Sequence, residues 1–148
     1  WDHTPAGPHL DGHHDPDRPV PFTLLACIFL GDETESSAGN LWVWPGSHLT
    51  HGELFKTRGV NALMGTGGHS TLLQSPVDIG EPVPVLAKRG DLLLAHYLLG
   101  HNSGGNTTAN TRQAVYYRLS TTNHEAHWEA SLTDPFAEYP TLRPHPAT

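Results

Sequence analysis

Three residues, His9, Asp11 and His101, have side chains that together could bind one metal ion. His9 and Asp11 form an H-x-D pair, and His101 lies far along the chain in the segment Leu98–Gly104. Side chains at positions i and i+2 of a strand point to the same face, so an extended pair could reach one ion. Two imidazoles and one carboxylate on one face of a metal form the facial triad of non-haem Fe(II) oxygenases, which leaves positions open for a co-substrate and O2. The residue types therefore predict an iron site.

The H-x-D pair alone is a weak signal, because the chain holds 12 His and 15 acidic residues. Residues 13–15, His-His-Asp, offer a second copy of the pattern. The segment Asp15–Pro19 has the composition of a turn, however, and a turn would hold metal ligands loosely. We therefore favour His9 and Asp11 over the second copy.

Composition narrows the function classes. With 148 residues, the chain is predicted to form one domain. Its net charge is −7 and it has only 8 Lys and Arg, so we expect no nucleic-acid or anionic-membrane partner. Its longest apolar run, Phe22–Leu30, is well short of the ~20 residues that cross a bilayer. The run contains Cys27, the single cysteine, which predicts a buried thiol in a reducing, cytoplasmic compartment.

The predicted strands are short and separated by turns. The 15 Gly and 13 Pro favour many turns over long helices. Apolar or alternating composition predicts four strands: Phe22–Leu30, Asn40–Trp44, Asp91–Leu99 and Gln113–Ser120. Pro82–Ala87 is predicted to be a weaker strand at a sheet edge. Such an order favours an all-β antiparallel sandwich or jelly roll, which would bring distant ligands together at one mouth.

Two helices are predicted between and after these strands. One lies within Ser47–Gly65 and begins near Leu49 or Thr50. The other spans Asn123–Leu132, with its first residue as the N-cap. The proline-rich end of the chain, Pro135–Thr148, is predicted to be extended.

Three ordered segments resemble the phytanoyl-CoA dioxygenase family. They are residues 40–48 (Asn-Leu-Trp-Val-Trp-Pro-Gly-Ser-His), residues 90–96 (Gly-Asp-Leu-Leu-Leu-Ala-His) and residues 101–112, which begin His-Asn-Ser-Gly-Gly-Asn and end in Arg112. Each segment is modest alone, but their order and spacing make the resemblance specific over roughly residues 9–120. The resemblance implies a double-stranded β-helix, which is a cupin-like jelly-roll barrel.

The resemblance also implies the roles of five residues. His9, Asp11 and His101 would bind Fe(II), Arg112 would hold the distal carboxylate of 2-oxoglutarate, and the Ser103 hydroxyl would add a hydrogen bond. A planar guanidinium suits a carboxylate, which agrees with this role for Arg112. The implied reaction consumes O2 and 2-oxoglutarate, releases succinate and CO2, and hydroxylates a C–H bond of a small molecule. Asp11 stands where halogenating relatives carry a small residue, so hydroxylation is expected.

Several residues have competing interpretations. His96 competes with His101 as the second histidine ligand, or it could form a hydrogen bond near the metal. We favour His101 because the Ser-Gly-x-Asn segment that ends in an arginine begins there. His48 is expected to be structural. Trp42 and Trp44 are expected to pack in the core, with lining of the substrate pocket as the alternative.

Relatives in this family carry a sizeable region before the H-x-D pair, whereas eight residues precede His9. We therefore expect residues 1–148 to form a single oxygenase domain that lacks its N-terminal region. Two other functions stay open: a cupin-like metal-binding protein that does not use 2-oxoglutarate, against which Arg112 counts, and a non-catalytic binding module. Nothing in the sequence specifies an acyl-CoA substrate or an oligomeric state.

Overall fold

The computed structural model describes residues 3–11, 22–63, 75 and 77–144. The second H-x-D copy at residues 13–15 lies outside the described residues. In chain order the elements are β1 (Leu24–Phe29), β2 (Leu41–Val43), α1 (Ser47–Arg58), β3 (Val83–Pro84), β4 (Leu92–His96), β5 (His101–Ser103), β6 (Ala114–Leu119), α2 (His124–Thr133) and a 3-10 turn at Pro140–Leu142.

The strands form two antiparallel three-stranded sheets among the described residues. The first has the order β4-β1-β6 and the second the order β3-β2-β5. Each of the five predicted strands contains an observed strand. The architecture is therefore mostly β, with two helices and two small antiparallel sheets, and it is compatible with the predicted sandwich class. β5 was not predicted, because its His-Asn-Ser sequence has neither apolar nor alternating character.

β1 is the central strand of the first sheet, and its apolar composition suits that place. Leu25 stands opposite Ala95 on β4 and Arg118 on β6 in the antiparallel register. Directly opposed side chains point to the same face of a sheet, so Leu25 and Arg118 share a face. Cys27, the next residue on that face, stands opposite Tyr116 and is buried, as its apolar surroundings predicted.

α1 begins at Ser47, earlier than predicted, because the turn before it is fixed by Gly46. Gly46 has a φ of 80°, a left-handed conformation that suits glycine. α2 begins after Asn123, the predicted N-cap, but the Asn123 side chain makes no capping hydrogen bond. The two helices are 12 and 10 residues long, which is too short to cross a bilayer. No helix among the described residues is long and apolar enough to span one.

The main core contains residues of the H-x-D segment, the first sheet and both helices. Its buried side chains include Leu10, Phe22, Leu25, Leu54, Phe55, Tyr97, Leu98 and Leu132. Leu10 connects the H-x-D segment to this core. The end of the chain was predicted to be extended, but it forms a 3-10 turn at Pro140–Leu142 instead.

Candidate metal centre

Backbone pairing brings His9 and His101 together. The His9 N–H donates to the His101 carbonyl at 2.9 Å, and the His101 N–H donates to the His9 carbonyl at 3.1 Å. This pair of bonds is an antiparallel bridge that places the H-x-D segment beside β5, at the edge of the second sheet. The two imidazole rings lie 4.3 Å apart, centroid to centroid. Strand pairing therefore brings together two histidines that are far apart in the sequence.

The H-x-D segment has the side-chain alternation of a strand. Leu10 is 2% exposed and packs in the core, while His9 and Asp11 point away from it to the same place. The Asp11 Oδ1 atom lies 3.4 Å from His9 Nε2 and 3.8 Å from His101 Nε2. One ligand atom from each of the three residues lies within 4.8 Å of the others. The predicted residues thus meet, and their role as metal ligands stays a prediction.

A hydrogen bond to the backbone sets the tautomer of His101. Its Nδ1 lies 2.9 Å from the Leu99 carbonyl, which can only accept, so Nδ1 carries the hydrogen. The Nε2 lone pair therefore points toward Asp11 and His9. Burial lowers the pKa of His101, which keeps the ring neutral. A neutral, oriented imidazole is the form that binds a metal ion.

The Asp11 carboxylate is held in its charged form. Its pKa is lowered chiefly by the hydrogen bond with His9, and the charge of Arg118 lowers it further, while burial opposes both effects. The second oxygen, Oδ2, lies 3.4 Å from an Arg118 nitrogen. One carboxylate oxygen thus faces the two imidazoles and the other faces a guanidinium.

The Pro-Gly-Ser turn before α1 supports the residue that precedes His101. Ser47 is fully buried, and its hydroxyl donates to the Trp44 carbonyl at 2.7 Å. The same oxygen accepts the Gly100 N–H at 2.8 Å, and the Gly100 carbonyl accepts the Trp44 N–H at 2.9 Å. A side chain at Gly100 would crowd Pro8, since an added Cβ would lie 3.2 Å from its Cβ. The turn therefore fixes the start of β5.

The three candidate metal-binding residues line a cavity of about 290 Å³ between the two sheets, which we call the metal cavity. Residues of β1, β2, β5, β6 and the H-x-D segment line it: His9, Asp11, Leu25, Leu41, His101, Ser103, Tyr116 and Arg118. Ser103, which was predicted to contact a co-substrate, lies on this wall. The wall combines two apolar leucines with polar groups that converge near the imidazoles, which is typical of a small-molecule site.

Arg112 does not itself line the cavity, but it contacts Tyr116, which does. Its Nε–H donates to the Glu33 carboxylate at 3.1 Å, and Glu33 is 1% exposed. A second guanidinium nitrogen donates to the Tyr116 hydroxyl, and Tyr116 lines the cavity. The predicted contact between Arg112 and a co-substrate carboxylate stays a prediction.

Tyr116 and Arg118 are wall residues that the sequence interpretation missed. Both lie on β6, two residues apart. Arg112 lies just before the strand, an even number of positions from each of them. Because side chains two residues apart share a face of a strand, the alternation from Arg112 could have indicated them.

The structure contradicts the interpretation in which His96 binds the metal or forms a hydrogen bond beside it. His96 stands opposite Leu24 in the register, whereas the neighbouring Leu25 lines the metal cavity, so His96 points to the other face of the sheet. There it lines a second cavity of about 240 Å³ together with His48 and Phe136. Burial lowers the pKa of His96 to about 3. His96 is thus a half-buried, neutral histidine on the sheet face away from the candidate centre.

Trp42 packs in the core, as expected, and does not line the metal cavity among the described residues. It is 7% exposed and lies next to His3, with the two rings 5.9 Å apart. A Cβ added at Gly104 would lie 2.4 Å from the Trp42 indole nitrogen. Gly104, the residue after β5, therefore lets the chain approach the tryptophan closely.

A site with two imidazoles and one carboxylate beside an open cavity has the donor set of the non-haem iron oxygenases that use a facial triad. The comparison with protein families agrees with this class. Residues 2–114 match the family model of phytanoyl-CoA dioxygenase (PhyH). The match covers well over half of the chain, so the chain belongs to the phytanoyl-CoA dioxygenase family.

Members of this family are oxygenases that use Fe(II) and 2-oxoglutarate and act on small molecules. The predicted family is therefore confirmed. Comparison with curated proteins found no match, and neither did comparison with solved structures.

Proposed function

We propose that this chain is an Fe(II)- and 2-oxoglutarate-dependent dioxygenase that hydroxylates a C–H bond of a small molecule and releases succinate and CO2. The domain is a double-stranded β-helix. The observation that carries the proposal is the meeting of His9, Asp11 and His101 at one cavity, in a chain of the phytanoyl-CoA dioxygenase family.

The three residues suit Fe(II) in number, type and charge state. His101 presents a neutral Nε2 lone pair, and Asp11 is charged. The His9 and His101 Nε2 atoms lie 3.4 Å and 3.8 Å from Asp11 Oδ1. Fe(II) bound there, with 2-oxoglutarate and O2, would supply oxidative decarboxylation and the oxidant for the C–H bond. Asp11 occupies a ligand position with a carboxylate, which favours hydroxylation over halogenation.

Arg112 and Ser103 are the proposed contacts of the distal 2-oxoglutarate carboxylate. Ser103 lies on the cavity wall, and Arg112 is fixed by Glu33 with one nitrogen directed to Tyr116. A carboxylate that replaces the Tyr116 hydroxyl as acceptor would meet the planar edge of the guanidinium. Leu25 and the rest of the apolar wall would exclude water from the reacting atoms.

Succinate formation tests this function. We expect the parent protein to form succinate from 2-oxoglutarate in the presence of Fe(II), O2 and ascorbate. His101→Ala removes a ligand and Arg112→Lys removes the planar fork, so each should lower turnover by about tenfold or more. His127→Ala and Arg143→Lys are matched controls, because both residues are exposed and neither lines the cavity. Unchanged turnover in His101→Ala and Arg112→Lys would contradict the assignment.

A second candidate is a cupin-like metalloenzyme that does not use 2-oxoglutarate. The observation that favours it is the ion pair of Arg112 with Glu33, which places the guanidinium behind the wall. Calorimetry distinguishes the two. The second candidate predicts that the protein binds Mn(II) but that 2-oxoglutarate does not bind the Mn(II)-loaded protein.

A further inference from the structure

Arg118 is the positively charged side chain at the mouth of the metal cavity. It lies near the end of β6, opposite Leu25, and lines the cavity with it. Its side chain is 64% exposed, so the guanidinium stands where the cavity meets solvent. A ligand that enters the cavity would pass this group.

The guanidinium is held in place by an aromatic ring. Its central carbon lies 5.4 Å from the centroid of the Phe22 ring, and Phe22 is 3% exposed in the main core. Stacking on a buried ring fixes one face of a guanidinium and leaves its N–H edge free to bind an acceptor.

Within the part of the chain that the structure describes, most N–H groups of Arg118 have no acceptor. Among the described residues, their one hydrogen-bond acceptor is Asp11 Oδ2, at 3.4 Å from a single nitrogen. That distance is long for a charged hydrogen bond, which is about 2.7–2.9 Å. Arg112, by contrast, uses its Nε for Glu33 and another nitrogen for Tyr116. Of the two arginines, Arg118 therefore has the free planar edge.

Metal binding would weaken the existing contact further. A divalent cation bound by Asp11 would neutralise much of the negative charge that attracts Arg118. The guanidinium would then be a cation at the cavity mouth without a strong partner. Such a group suits a carboxylate with two parallel oxygens.

We propose that Arg118 binds a carboxylate of the substrate, so that the substrate is a small organic acid. Its apolar part lies along Leu25 and Leu41, which line the same cavity. This inference rests on the proposed function. A carboxylate could also come from 2-oxoglutarate itself, and the experiment separates these two sources.

The test compares an acid with its uncharged analogue. Hexanoate and hexanamide are titrated against protein loaded with Mn(II) and 2-oxoglutarate, with ligand NMR relaxation as the measurement. We expect the acid to bind more tightly than the amide by about tenfold to a hundredfold, because its hydrogen bonds are charge-assisted.

Three variants identify the arginine. Arg118→Gln should abolish the preference for the acid, and Arg118→Lys should retain part of it. Arg143→Gln is the matched control, because Arg143 also pairs with an aspartate and stacks on a phenylalanine, 5.3 Å from the Phe136 centroid. This control should leave the preference unchanged.

Other outcomes overturn the inference. Equal affinity for acid and amide in the parent would do so, as would an acid preference that survives in Arg118→Gln. Loss of 2-oxoglutarate binding in Arg118→Gln would assign the arginine to the co-substrate instead. A parent that binds no Mn(II) would contradict the proposed function, and the acid–amide comparison would then be made on the metal-free protein.

Discussion

At the scale of single residues, the two ring nitrogens of His101 have different tasks. Nδ1 donates to the Leu99 carbonyl, and Nε2 faces Asp11. The sequence indicated this histidine through its neighbours, since it begins the segment that ends in Arg112. It could not indicate the tautomer, because the Leu99 carbonyl reaches the ring only through the turn between β4 and β5.

His96 shows the opposite case, in which the residue type suggested chemistry and the position excludes it. His96 and His101 are close in sequence, and both were candidates for the second histidine ligand. Strand register places His96 on the other face of the first sheet. Its Nδ1 accepts the Leu98 N–H at 3.1 Å, and burial keeps the ring neutral.

Because His96 is half-buried and neutral in the folded chain, we expect the protein to lose stability in mild acid. Its pKa is about 3 in the folded chain and 6.5 for a free histidine, so the unfolded chain binds more protons between these values. Stability should therefore fall as the pH falls below 6.5, by about 1–2 kcal/mol at pH 5 from this residue.

Urea unfolding at pH 7 and pH 5 measures this effect. His96→Gln should lose part of the decrease between the two pH values, whereas His127→Gln, at an exposed position, should behave like the parent. An equal decrease in His96→Gln and the parent would show that other groups cause it.

At the scale of elements, the position of β5 depends on the turn before α1. The Pro-Gly-Ser sequence was recognised as part of a family pattern, but its physical role is the pair of hydrogen bonds through the Ser47 hydroxyl. Three-residue strands such as β5 have too little local preference to form alone. Their pairing is decided by what lies on either side.

Ser47→Ala should therefore destabilise the protein and weaken metal binding. It leaves the buried Gly100 N–H without its acceptor, which costs about 1–3 kcal/mol. Because Gly100 precedes His101, we also expect a lower Mn(II) affinity by calorimetry. Thr57→Ala is the control, since the Thr57 hydroxyl only contacts carbonyls of its own helix. A Ser47→Ala protein with the stability of the parent would contradict this role.

At the scale of the whole molecule, the candidate centre joins the H-x-D segment to the two sheets. The segment is held by the bridge between His9 and His101 and by Leu10 in the core. A metal ion that binds all three ligands would connect the segment to β5 more firmly, and the unfolded chain has no such site.

Metal binding should consequently stabilise the folded chain. At a metal concentration a hundredfold above the dissociation constant, the free energy of unfolding should rise by about 2.7 kcal/mol. Thermal or urea unfolding with and without Mn(II) measures this rise. Asp11→Asn should reduce it strongly, and Asp78→Asn, at an exposed aspartate, should not. An equal rise in Asp11→Asn would place the metal elsewhere.

The sequence by itself indicated the three candidate metal-binding residues, the alternation of the H-x-D segment and the position of the main strands. These features depend on residue types and on local periodicity, which can be derived from the chain directly. Asp11 beside His9 and the apolar β1 are examples.

Only the tertiary structure decided which distant residues meet. The His9–His101 bridge, the formation of β5, the place of Arg112 behind Tyr116 and the free edge of Arg118 all depend on strand register. Register is set by long-range pairing and burial, and a shift of one residue would move every side chain to the other face. For this reason His96 and Arg118, which the residue types alone could not rank, lie on opposite faces of the same sheet.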